Sequence, residues 1–112
     1  MFVTQVTIDA SQISGWPSFH QVFAQALGFP TFYGANMNAW IDCMSSLDAP
    51  DDGMSRLHCE SGKVLTLLVQ GAAGLKEKYP QQYDALIECT AFVNWRRMQS
   101  GRPAVLALAF DL

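Results

Sequence analysis

Residues 64–70, VLTLLVQ, constrain the fold more than any other stretch. Apolar side chains run through them without the alternation of a strand that has one wet face. Such a run is expected of a central strand covered on both faces, the usual state of a strand in a parallel sheet. Two other β-rich stretches lie far from it in sequence. FVTQVTI, 2–8, places valine and isoleucine near alternate positions, and AVLALAF, 104–110, reads as a second buried strand.

Each gap between strands holds two helical patterns. In the first gap, Ser14-Gly15-Trp16-Pro17 reads as a helix start. Ser14 is the expected cap, and Pro17 sits in the first turn, where its missing N–H costs nothing. Phe19, Val22, Phe23, Ala26 and Leu27 recur at amphipathic spacing, and Gly28 and Pro30 end the helix. Asn36 can cap a second helix, whose buried stripe is Met37, Trp40, Ile41 and Met44. Asn38, Asp42 and Ser45, at i, i+4 and i+7, share the opposite, wet face. Residues 46–62 form a long polar loop of the kind that is often functional or mobile.

The second gap opens with a short helix over 71–79. Pro80 starts a longer one, with Ala85, Leu86, Cys89, Phe92 and Val93 on a single face. Ser100-Gly101-Arg102-Pro103 breaks it. The order β-α-α-β-α-α-β predicts an α/β fold: a small, mostly parallel three-stranded sheet packed with helices. The 112 residues suffice for one domain, 1–112, with one core.

Composition narrows the function classes. Half of the residues are hydrophobic and 15% are charged, which excludes a disordered tail. The net charge is −3 and no basic cluster exceeds Arg96-Arg97, so a surface that tracks nucleic-acid phosphates is not expected. The first ten residues, MFVTQVTIDA, lack a basic n-region and a long apolar h-region, so no signal peptide is expected. No run of about 18 apolar residues is available to span a bilayer. Cys43, Cys59 and Cys89 are odd in number, widely spaced and free of any C-x-x-C pairing. That pattern argues for a reducing cytoplasm and against a disulfide framework or a zinc site.

Few residues suggest chemistry. His20, next to the core face of the first helix, reads as a satisfied structural histidine. His58-Cys59 raises the idea of a thiol nucleophile, but catalytic pairs are made in space and not by adjacency in sequence. Cys43 and Cys89 fall near apolar faces as inert thiols. Asp48, Asp51 and Asp52 lack the spacing of a calcium loop, and Gly71-Ala72-Ala73-Gly74 lacks that of a nucleotide loop. Nothing is assembled for turnover, and no catalytic residue, metal or cofactor is expected.

Recognition is what remains. The stretch FYGANMNAWIDCM, 32–44, offers aromatics on a Tyr-Gly turn, amides and a carboxylate, the composition of a protein-binding hot spot. The alternative is that Tyr33 folds into the core and Asp42 is merely solvated. The residues alone leave both open.

The stretch 12–44, QISGWPSFHQVFAQALGFPTFYGANMNAWIDCM, resembles the barstar family of intracellular ribonuclease inhibitors. The most specific part is the aromatic-Tyr-Gly-x-Asn turn followed by a helix with an Asp-Cys pair: Phe32, Tyr33, Gly34, Asn36, Asp42 and Cys43. The His20-Gln21 pair also matches. The later chain agrees in element order. The resemblance implies a three-stranded parallel sheet with helices and no enzyme activity. It implies that turn and helix plug the active site of a basic, secreted ribonuclease or nuclease toxin, as an immunity protein would. Asp42 would then mimic a substrate phosphate, Phe32 and Tyr33 would supply aromatic contacts, and Asn36 would position the turn and helix. Asn38 would face the partner, and Gly34, Ile41 and Ser45 complete the expected surface.

Departures from the family pattern accompany this. Asn38 is neutral and Ala35 lacks the acidic side chain common there. Arg96 and Arg97 stand near the place where the family can present a glutamate. The expected surface is therefore less acidic, with Asp48, Asp51 and Asp52 as candidates to replace the lost charge. The rival reading is a barstar-like interaction domain with a non-nuclease partner.

Overall fold

The computed structural model describes residues 2–112. Three strands, β1 (Gln5–Asp9), β2 (Leu65–Gln70) and β3 (Leu106–Asp111), form one parallel sheet in the order β1-β2-β3. Helices α1 (Trp16–Leu27) and α2 (Met37–Ser45) cross from β1 to β2. Helices α3 (Ala72–Lys78) and α4 (Pro80–Gln99) cross from β2 to β3. The α/β class, the parallel sheet and the element order are those expected. Two short 3-10 turns, Ala10–Gln12 and Pro50–Asp52, add to them.

The sheet is covered differently from the expectation. Val6 and Ile8 of β1, Leu65, Leu67 and Val69 of β2, and Leu106 of β3 point into one buried core. There they meet Phe19, Phe23 and Leu27 of α1, Trp40 and Met44 of α2, Leu75 of α3, and Leu86 and Val93 of α4. On the other face of the sheet, Gln5, Thr7 and Asp9 are exposed, and Thr66 and Leu68 are only half-buried. The register sets Gln5 beside Thr66 and Ala107, and Thr7 beside Leu68 and Ala109. This second face is small and polar apart from Leu68, which is why water tolerates it. Leu68, with the exposed Val64 just ahead of β2, made 64–70 look apolar on both sides.

Helix boundaries follow local chemistry. Asn36 caps α2: its Oδ1 accepts the Ala39 N–H at 2.8 Å. Gly28 ends α1 in the left-handed region, with φ 71°. A Cβ there would sit 2.4 Å from Arg56 Cβ, so only glycine fits both the angle and the space. Ser14 is not the cap of α1. Gly15 holds that position without a side-chain bond, and the Ser14 N–H instead donates to Ser18 Oγ at 2.7 Å.

Two further expectations need correction. The buried face of α4 is Gln82, Leu86, Thr90, Val93 and Arg97, while Phe92 is 42% exposed. Three polar residues on the inner face hid it from a reading by hydrophobicity. The 46–62 loop is not slack. Leu47 and Cys59 are fully buried and joined by a bond from Cys59 N–H to Leu47 O, and the N–H groups of Arg56 and Leu57 both donate to Leu27 O. The two bonds to Leu27 O satisfy one orphan carbonyl at the end of α1. No helix is long and apolar enough to cross a membrane, among the described residues.

Candidate protein-binding site

The turn 32–36 and helix α2 form one edge of the molecule. Phe32 stands out at 73% exposure. Tyr33 is half-buried: its N–H donates to Pro30 O at 2.9 Å, and its ring packs 4.8 Å from that of Phe29. Its Oη lies 2.6 Å from Nδ1 of His20, a buried histidine stacked on Trp16. His20 is thus a satisfied structural residue, and burial pulls its pKa below the ordinary value. The Tyr33 hydroxyl faces inward and its ring stays partly open. Gly34 is exposed. Ala35 takes a left-handed φ of 52°, a conformation that costs a non-glycine residue roughly 1–2 kcal/mol. Trp16, His20, Ala35, Asn36 and Met37 line a shallow hollow beside the turn.

On α2, Asn38 and Asp42 face solvent as the spacing implied. Ile41 and Ser45 do not: Ile41 is 9% exposed and Ser45 is 7%. Ser45 was expected on the wet face. It lies instead under α4, its Oγ donating to Ile41 O at 2.6 Å and accepting from Arg96 Nη2 at 2.7 Å. As surface contacts, then, Phe32, Tyr33, Gly34, Asn36, Asn38 and Asp42 are brought together. Ile41 and Ser45 support them from below.

Asp42 has a neighbour that sequence reasoning did not assign. Arg96 of α4, 54 residues away, places Nη2 3.5 Å from Asp42 Oδ1. That is longer than the 2.7–2.9 Å of a strong charge-assisted bond, and the Asp42 side chain keeps 61% of its exposure. Its remaining acceptor positions are free for a partner. Beside it runs an open groove lined by Ser46, Asp52, Met54, Ser100 and Arg102. The groove is mixed in charge. The sequence signals for it were the Arg96-Arg97 pair and the acidic residue Asp52.

Arg97 points the other way and is 1% exposed. It grips Asp48 with two bonds, of 3.0 and 2.7 Å, and donates to Ser45 O and to Pro103 O at 2.9 Å each. Those bonds, with the guanidinium charge, hold the Asp48 carboxyl below its usual range. Asp48 is therefore matched within the fold and does not replace lost surface charge; Asp51 and Asp52 remain exposed.

His58 and Cys59 are both buried. Cys59 is fully buried with its thiol pKa pushed up by burial, and Nδ1 of His58 faces Ser55 Oγ at 3.4 Å. Burial, helped by the charge of Asp42, pushes the Cys43 thiol up to about 11.

A family profile described as "Barstar (barnase inhibitor)" matches residues 3–108. The chain belongs to the barstar family. The match runs through β1, both crossovers and the first half of β3, well beyond the 12–44 stretch that carried the resemblance. No curated protein matches the chain.

Proposed function

We propose that this barstar-family chain is a protein inhibitor, not an enzyme, and that it occludes the active site of a basic ribonuclease. The observation that carries this reading is Asp42. It is an exposed carboxylate on a helix fixed at both ends, by the Asn36 cap and by the Arg97 bond to Ser45 O. A carboxylate so held can stand where an RNA phosphate would, and meet the enzyme's catalytic cations with charge-assisted hydrogen bonds. Phe32 and the open side of Tyr33 would seat against the rim of the cleft, with Asn38 as a neutral contact. Immunity against a nuclease toxin, in a reducing cytoplasm where the free thiols persist, is the setting this reading implies.

The test is capture from native extract and secretome with wild type and Asp42→Ala, followed by RNA-degradation assays on what is retained. Wild type should capture and silence a basic nuclease. Asp42→Ala should keep its fold and lose several kcal/mol of binding, on the order expected for a central charged hot spot. Equal inhibition by both proteins removes Asp42 from the role. Capture of the same non-nuclease protein by both supports an interaction domain with another partner.

A further inference from the structure

Helix α4 carries apolar side chains on two sides. Its inner side belongs to the core. Its outer side carries Ile87, Phe92, Trp95 and Met98, exposed by 38, 42, 54 and 55%. Ala91, also exposed, lies among them. Positions 87, 91, 95 and 98 follow helical spacing and make one continuous row. Phe92 flanks the row, its ring 5.8 Å from that of Trp95. A surface helix ordinarily turns a charged face to water, and contiguous exposed apolar surface marks an interaction site.

The charges bordering the row identify the occupant. Asp84 and Glu88 are exposed on the N-terminal half, and Arg96 on the C-terminal half. The Arg96 guanidinium lies 5.9 Å over the Phe92 ring, at the edge of the row. Such a face is complementary to itself when reversed. We propose that α4 docks antiparallel on α4 of a second copy, about a two-fold axis beside Ala91 and Phe92. Small Ala91 lets the helices approach, and Trp95 of each copy covers the Ile87–Glu88 turn of the other. Glu88 of one copy falls within a turn of Arg96 of the other, and two-fold symmetry makes that contact twice. Antiparallel helix dipoles add to the match. A parallel pairing would instead set Glu88 against Glu88 and Arg96 against Arg96. The proposal does not rest on the inhibitor reading, although the two surfaces share Arg96, which also pairs with Asp42 and donates to Ser45 Oγ.

The test is sedimentation equilibrium on the purified full chain at low salt, from micromolar to submillimolar concentration, with circular dichroism to confirm folding. Wild type should show a reversible monomer–dimer equilibrium. Trp95→Glu should weaken it at least about tenfold, as for a central aromatic anchor. Glu88→Arg and Arg96→Glu should each weaken it, and the two together should restore it. A wild type that stays monomeric throughout overturns the proposal. So does a dimer indifferent to Trp95→Glu, or a double reversal no better than the single ones.

Discussion

Asp48→Asn tests what holds α2 in place. Arg97 is the most deeply buried charge of the site region, and it joins four parts of the molecule. It belongs to α4, bonds the last turn of α2 through Ser45 O, the following loop through Asp48, and the segment before β3 through Pro103 O. Asparagine keeps the shape of Asp48 but removes its charge and turns an N–H donor toward a guanidinium that cannot lose its own proton. Removing one partner of a buried ion pair costs roughly 3–5 kcal/mol. The Asp48 side chain is 14% exposed, which places the cost near the lower end, about 3 kcal/mol. At about 2.1 cal/mol/K per residue, a chain of this length unfolds with roughly 0.24 kcal/mol/K, so Tm should fall by about 12 °C.

Thermal melts followed by circular dichroism at neutral pH measure this, with exposed Asp51→Asn as the control that should move Tm by no more than about 2 °C. The pH dependence supplies a second check. Arg97 holds the folded-state pKa of Asp48 below its unfolded value. The unfolded chain therefore binds the proton more readily. The stabilisation is complete above about pH 3.9 and is lost as pH falls from there through the lower folded value. The gap between wild type and Asp48→Asn should close over that acidic window. Replacing the pair together, Asp48→Leu with Arg97→Met, should cost less than Asp48→Asn alone, because no unmatched charge stays buried. A Tm shift within about 3 °C, under 1 kcal/mol, would refute the reasoning.

Two predictions concern the groups around the turn. Tyr33→Phe strips His20 Nδ1 of its 2.6 Å partner and should cost about 1 kcal/mol in urea denaturation. Burial lowers the folded pKa of His20. The stability this represents is present above about pH 6.5 and is lost as pH falls through the folded value. His20→Gln should abolish that slope in pH-dependent melts. Among the thiols, Cys43 and Cys59 are buried with raised pKa values, whereas Cys89, also raised, is partly exposed. A disulfide reagent at pH 8 should modify Cys89 first and reach the other two only as the chain unfolds; Cys89→Ser should remove the fast phase.

What the sequence made legible was local. Asn36 caps α2 through its own side chain, and Gly28 ends α1 through its own φ, so both could be read from neighbouring residues. Parallel pairing followed because helical crossovers connect the strands; the order β1-β2-β3 within the sheet came only from the structure. The misread residues answer to distant partners. Arg97 looked like half of a surface basic pair, yet Asp48 and Ser45, 49 and 52 residues away, make its burial possible. Ser45 followed the spacing of a wet face until α4 covered it. Phe92 looked like core because burial of Thr90 and Arg97 on α4 depends on what packs there, and periodicity does not encode that.

Arg96 and Arg97 are adjacent, so the helical turn sends one inward and the other out. Asp48 matches the inward charge, leaving Asp42 and Arg96 as the charged pair at the surface. Exposed pairs are worth about 0–1 kcal/mol, and this one is long at 3.5 Å. A cation in a desolvated enzyme cleft is a stronger partner for Asp42, because charge-assisted hydrogen bonds strengthen where water is excluded. On the inhibitor reading, the enzyme therefore displaces Arg96. Arg96 then costs affinity twice, as a competitor for Asp42 and as a positive charge facing a basic protein. Arg96→Ala should tighten binding by up to about 1 kcal/mol, roughly fivefold, measured by titration calorimetry against the captured nuclease. Binding weakened fivefold or more would mean that Arg96 meets an acidic group on the partner. In that case the mixed groove of Asp52, Arg96 and Arg102, rather than Asp42 alone, selects the enzyme.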